Sequence, residues 1–202
     1  QHDHFQFGVA ATIFATNMED ARNILTWSRE RDLDVVFNML RFTDAMLGNR
    51  ELEERIRLKT QEEEFMRQFF LEQVAEESVL SGQSFQYLHY ADMIANGYVR
   101  TMPCPFQSQG LLLNPDGTLF YCENSKPLGN VVETPASALY FDAAHLAERA
   151  TFQDTICKNC LSPCQVNVGA MKQFAPYAKF LMRAYRVKRD PARHIQTLPA
   201  AK

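Results

Sequence analysis

No cysteine precedes Cys104, so a thiol-ligated centre built from the N-terminal part of the chain alone is excluded. No apolar run approaches the length of about eighteen residues that a transmembrane helix needs. The N-terminus also lacks the basic start and apolar stretch of a secretory signal. Nor is there an excess of positive charge: 21 Lys and Arg stand against 24 Asp and Glu, for a formal net charge of −3. A nucleic-acid-binding surface needs the opposite balance. Neither a Ser-His-Asp set, a phosphate-cradling glycine loop nor an HExxH helix occurs in the sequence. These absences lead to the expectation of a cytoplasmic protein with no nucleic acid and no membrane among its partners.

What the chain does have is a cysteine pattern. Its 202 residues, 46% hydrophobic, suffice for a substantial core in one or two domains. All five cysteines fall in two groups, Cys104 with Cys122, then Cys157, Cys160 and Cys164. An odd number of clustered cysteines without a signal fits a reducing compartment and metal binding better than a disulfide framework. The first pair brackets a hairpin: Gly110–Asn114 as one strand, Asn114-Pro115-Asp116-Gly117 as the turn, Thr118–Cys122 as the return strand. Gly117 suits a turn position where positive φ is demanded. The second group reads C-x2-C-x3-C around Lys158-Asn159 and Leu161-Ser162-Pro163. A hairpin and a tight turn deliver convergent thiolates without long, entropically costly loops. An iron–sulfur cluster and structural zinc both prefer thiolates, so ligand type leaves both open, and five cysteines leave one over for a four-ligand centre. A redox reading of Cys157-Lys-Asn-Cys160 lacks the strand-to-helix setting it requires.

Upstream, the apolar run Phe5–Phe14 reads as a buried strand, with Asn17 capping a helix and Asp20 close to a capping box. Ala21, Ile24, Leu25 and Ser28 recur at helical spacing, and Leu33–Leu40 reads as a second strand. This is a βαβ unit, and its near-continuous apolar strands predict a parallel sheet covered on both faces. Residues 50–80 carry Leu52, Ile56, Phe65, Phe69, Phe70 and Val74 at helical spacing within a charged, solvated face. A helix from Phe85 to Tyr98 stops at Asn96-Gly97. A turn opens at Thr134-Pro135, a helix spans Asp142–Arg149, and a long amphipathic helix runs from Val166 to Lys188 with basic residues in its last turns. The tail from Asp190-Pro191 onward is expected to fray.

Cys104-Pro105-Phe106, then Leu112–Cys122 with its C-x12-G-x4-C spacing, then Leu128-Gly129-Asn130-Val131 and C-x2-C, resemble the SPASM/twitch extension of radical S-adenosylmethionine (SAM) enzymes. Gly8 to Asp44, with Thr12, Asn17 and Glu19-Asp20, is similar to the fifth and sixth βα units of that family's partial TIM barrel. The resemblance implies an α/β fold: the C-terminal portion of a (β/α)6 partial barrel with linking helices over residues 1–99, a β-hairpin-plus-helix cluster domain over 100–190, and a flexible tail over 191–202. It implies one auxiliary [4Fe–4S] cluster on Cys104, Cys122, Cys157 and Cys160, with Cys164 as the alternative or spare. A full SPASM domain carries seven cysteines and two such clusters, so the shorter twitch type is the better match. It further implies Val36 near the SAM adenine.

The family's SAM-cleaving C-x3-C-x2-C is absent, so the resemblance implies a C-terminal part of a longer oxidoreductase or maturase, catalytically inert by itself. In the intact enzyme a second [4Fe–4S] cluster would reduce SAM to a 5′-deoxyadenosyl radical that abstracts a substrate hydrogen. The implied partners are the missing N-terminal barrel half, a peptide, protein or small-metabolite substrate, and an electron donor such as a flavodoxin or ferredoxin. The auxiliary cluster would relay an electron or bind substrate. A non-catalytic zinc or Fe–S partner-binding module is the alternative. Of the remaining candidates, His2-Asp3-His4 reads as a frayed terminus, and His89, His145 and His194 as surface or boundary residues. Glu72, Glu76 and Glu77 read as helix surface charge. Arg100 either steadies the cluster's negative charge, faces substrate or is exposed.

Overall fold

Strand β1, Gly8–Ile13, alternates: Ala11 and Ile13 pack into the core, whereas Gly8, Ala10 and Thr12 are exposed. That description comes from a computed structural model, which describes residues 7–43, 48–102, 104–107, 110–162 and 174–195. Helix α1, Asp20–Arg29, returns the chain to β2, Asp34–Met39, which pairs with β1 in parallel from Gly8 opposite Asp34 to Ile13 opposite Met39. The βαβ unit is present. Among the described residues its sheet is covered on one face, because small and polar residues alternate with the apolar ones. Asn17 does not cap α1. Its Oδ1 accepts the Phe14 N–H at 2.8 Å and its Nδ2 donates to the Thr12 carbonyl at 3.0 Å, closing the turn after β1. Glu19 precedes the helix without a side-chain cap.

The outer edge of β2 is closed by side chains. Helix α2, Glu53–Ile56, and helix α3, Thr60–Glu76, lead into helix α4, Gly82–Ala95. Gln86 Nε2 donates to the Phe37 carbonyl at 2.8 Å, and the Tyr87 hydroxyl accepts the Phe37 N–H at 3.1 Å. Those bonds satisfy backbone groups that a neighbouring strand would otherwise take. Beneath them the Phe37 ring meets Phe69 edge-on at 5.0 Å, and Phe70 packs on Tyr87 and Tyr90 at 5.6 and 5.1 Å. Each buried aromatic of this kind contributes about 1.5–3 kcal/mol through its apolar area. Ser81 caps α4 by accepting the Ser84 N–H, and the helix stops at Asn96, followed by Gly97 and Tyr98 in left-handed conformations. Helix α7, Phe174–Arg189, covers α3 and α4 through Phe180, Ala184 and Val187. Arg22 and Arg29 on α1 reach Glu72 and Glu76 on α3, so two of the surface glutamates pin these helices together.

A second, smaller core lies beyond residue 110. Strands β3 (Leu112–Leu113), β4 (Thr118–Phe120) and β5 (Pro127–Asn130) form an antiparallel sheet in that order. Leu119, Tyr121 and Leu128 pack with Leu139 of helix α5, Ala136–Tyr140. The hairpin falls where the sequence places it; the third strand was not foreseen. Helix α6, Ala143–Thr155, is capped by Asp142 and runs beyond the expected Arg149. Residues 163–173, which hold the expected start of the C-terminal helix, lie outside the described residues. Pro191–His194, expected to fray, forms a further helical turn, α8. The class is mixed α/β, and among the described residues no helix is long and apolar enough to cross a membrane.

Candidate metal centre

Four cysteines from three segments of the chain line one cavity of about 120 Å³: Cys104, Cys122, Cys157 and Cys160. Each segment is positioned by its own local device. Cys122 follows β4, and Ser125 secures the turn after it. The Ser125 Oγ accepts the N–H groups of Tyr121 and Cys122 at 3.1 and 3.2 Å and donates to the Cys122 carbonyl at 2.9 Å. The hairpin turn is equally determined. The Asp116 carboxylate accepts the Thr118 N–H, and Asn130 donates to the Asp116 carbonyl. Gly117 sits at φ +87°, where a Cβ would stand 2.6 Å from Asn130 Oδ1.

Cys104 opens a short 3-10 turn, Pro105–Gln107, and α6 clamps that turn from outside. Arg149 of α6 donates to the Phe106 carbonyl at 2.8 Å, and Gln153 donates to the Gln107 carbonyl. The Arg149 guanidinium lies over the rings of Tyr121 and Tyr140 at 4.4 and 5.1 Å, joining the turn to the small core.

Arg100 builds the loop that carries Cys157 and Cys160. Its backbone N–H donates to the Lys158 carbonyl at 2.7 Å. Its guanidinium donates to the carbonyls of Cys160 and Ser162 at 3.0 and 2.9 Å, and to Met102 at 2.7 Å. The remaining nitrogen, Nη2, is buried and has no hydrogen-bond partner among the described residues, and Arg100 lines the cavity beside the thiols. Of the roles considered for Arg100 in the sequence, exposure is excluded.

The sulfurs already receive N–H donors. Cys160 Sγ accepts from the Ser162 N–H at 3.4 Å and from Asn124 Nδ2 at 3.6 Å. Burial pushes the Cys157 thiol up to about 11; the Gln107 side chain works the other way, and the neighbouring Cys122, Cys160 and Cys104 reinforce the rise. Burial raises Cys160 as well, opposed by the Ser162 N–H and the Arg100 charge. A cationic centre reverses that balance, since it attracts all four thiolates together. The donor set therefore suits a thiophilic metal centre: four cysteines lining one cavity, N–H groups directed at the Cys160 sulfur, and a buried guanidinium beside them. Among the described residues, no three His, Cys, Asp or Glu side chains are gathered into a ready metal-ligand set.

The other sequence candidates lie elsewhere. Cys164 is outside the described residues. Val36 is half-buried on the β1–β2 face opposite Phe37 and Met39, beside Ala10 in register, and lines neither the cysteine cavity nor the larger one next to it. His89, expected near the surface, is buried. His145 and His194 are half-exposed, as boundary residues are. Sequence reasoning missed Ser125, Asn124, Gln107 and Arg149. Their only signal is proximity to a cysteine or, for Arg149, a place on a helix opposite two tyrosines. Compared with known proteins, the chain matches no family model, no curated protein and no solved structure.

Proposed function

We propose that this chain carries an auxiliary [4Fe–4S] cluster on Cys104, Cys122, Cys157 and Cys160, and that it is the C-terminal part of a radical SAM oxidoreductase or maturase. The observation that supports the reading is that those four cysteines line one cavity, with Arg100 beside them. When bound, such a cluster supplies one-electron chemistry at a potential set by charge, burial and hydrogen bonds to sulfur. The chain's own residues supply those settings. Ser162 and Asn124 donate to Cys160, Gln107 reaches Cys157, and the Arg100 cation offsets thiolate charge. The parallel strands β1 and β2 with their crossover helix are compatible with the last two βα units of a partial barrel, which is the finer fold reading proposed here.

Iron and acid-labile sulfide analysis on anaerobically prepared protein tests the reading. About four of each per chain are expected for a [4Fe–4S] centre. Cys104→Ala/Cys122→Ala and Cys157→Ser/Cys160→Ser should each abolish them, whereas Cys164→Ser should retain them. Zinc without sulfide, together with failed iron–sulfide reconstitution, would instead favour a structural zinc module that binds a partner.

A further inference from the structure

Arg41 stands where the two cores meet. Its backbone continues from β2: the Leu40 N–H beside it donates to the Ile13 carbonyl at 2.9 Å, and its own carbonyl accepts Asn49 Nδ2 at 2.9 Å. Its side chain leaves that core. It lines a second cavity, of about 460 Å³, whose wall shares Asn124, Ile156 and Cys160 with the cysteine cavity. From there Arg41 Nη1 donates to two residues that line the cysteine cavity, the Glu123 carboxylate and, at 3.0 Å, Ser162 Oγ.

Those two partners carry or adjoin the N–H groups that address one sulfur. Ser162 gives its own N–H to Cys160 Sγ at 3.4 Å, and Asn124, next after Glu123, gives its Nδ2 to the same sulfur at 3.6 Å. One guanidinium nitrogen therefore holds both segments from which Cys160 receives these bonds. Sulfur is a weak acceptor, and hydrogen bonds weaken steeply as their angle closes, so a small shift of either segment ends them. The pair that prevents such a shift is shielded. The Glu123 side chain is 14% exposed and that of Arg41 28%, against 26% and 48% for Glu72 and Arg22 on the helix surface. Water and salt weaken exposed pairs far more than shielded ones. Arg100 holds the Cys160–Ser162 loop by its carbonyls, and Arg41 holds that loop together with the Glu123–Asn124 turn.

We infer that Arg41 is a positioning residue for the cysteine centre: by holding Glu123 and Ser162 it keeps the Asn124 and Ser162 N–H donors on the Cys160 sulfur, and so raises the reduction potential of a cluster bound there. The potential rests on the function proposed above; the placement of the donors does not. N–H donors on sulfur favour the more negative oxidation level, so losing them lowers the potential.

Amide hydrogen exchange at Ser162 and redox titration, on the intact chain before and after reconstitution with iron and sulfide, test it together. Arg41→Met removes the charge and the bonds. Arg41→Lys keeps the charge, but its ammonium stands one bond short of the Nη1 position. In both variants Ser162 exchange should quicken by about tenfold or more, with the β1–β2 amides unchanged, and the potential should fall. Asn124→Ala alone should lower the potential too, and adding it to Arg41→Lys should lower it no further, because the donor it removes is already lost. If Arg41→Met does not fold, Arg41→Lys decides. Wild-type exchange at Ser162 in Arg41→Lys, or a potential that moves in Arg41→Met alone, shows a bare charge effect and overturns the assignment. Additive shifts from Arg41→Lys and Asn124→Ala overturn it as well. Faster exchange in a chain that assembles no cluster supports the placement of the donors and removes only the iron–sulfur reading. A loaded chain whose potential ignores every variant overturns the assignment and leaves the cluster reading intact.

Discussion

His89 is buried on α4, neither ring nitrogen hydrogen-bonds to a described residue, and burial, reinforced by the nearby Arg100 charge, pulls its pKa down to about 3. The unfolded chain holds this group at its ordinary value of 6.5. Between those two values the unfolded chain binds a proton that the folded chain refuses. Stability therefore falls as pH drops through that window and is unaffected above it. His89→Leu removes the titration and fills the same apolar space. Urea midpoints of the wild type should drop more steeply than those of the variant between about pH 7 and about pH 4.5. Parallel curves would show that the histidine is not buried neutral. Asp92 acts with the opposite sign, its carboxyl raised by burial to about 6 and opposed by Arg183. It is present in both proteins and cancels in the comparison.

At the scale of elements, the open question in a two-stranded parallel sheet is what satisfies its edges. Helix α4 answers for β2 with side chains in place of a strand. Tyr87→Phe removes the acceptor of the Phe37 N–H while keeping the ring between Phe70 and the sheet. A buried donor left without a partner costs about 1–3 kcal/mol, and the variant should lose that much stability by urea denaturation. A smaller change would mean that water reaches the β2 edge. This arrangement also shows where sequence reading reaches its limit. The βαβ order was legible because Ile24, Leu25 and the two apolar runs carry period and length. That Gln83, Gln86 and Tyr87 would face a strand edge was not, because their partners are backbone groups about fifty residues away. His89 was misplaced for a related reason. Helix α4 is covered by both α3 and α7, so a polar residue on it has no solvent face to occupy. Asn17 illustrates local competition: its side chain closes the β1 turn, and a capping residue and an Asx turn share one sequence signature.

Across the whole molecule, charged and polar groups join the two cores. Arg100 ties the end of α4 to the Cys157–Cys160 loop, and Arg41 after β2 reaches Glu123 and Ser162. The cysteines sit at that seam, which explains why their spacing was readable and their surroundings were not. Hairpin geometry and C-x2-C are local patterns. The arginines and amides that address the sulfurs arrive from segments with no pattern of their own. The choice among five cysteines was likewise open in the sequence; Cys104, Cys122, Cys157 and Cys160 line one cavity, and Cys164 lies outside the described residues.

The central claim is that those four thiolates hold iron and sulfide together. X-ray absorption of the anaerobically purified chain addresses it directly, since the absorption edge names the metal and the scattering names its neighbours. The account predicts an iron edge, a first shell of sulfur and a second shell of iron, all lost in Cys104→Ala/Cys122→Ala. A zinc edge with a single sulfur shell near about 2.3 Å, unchanged after reconstitution with iron and sulfide, would contradict it.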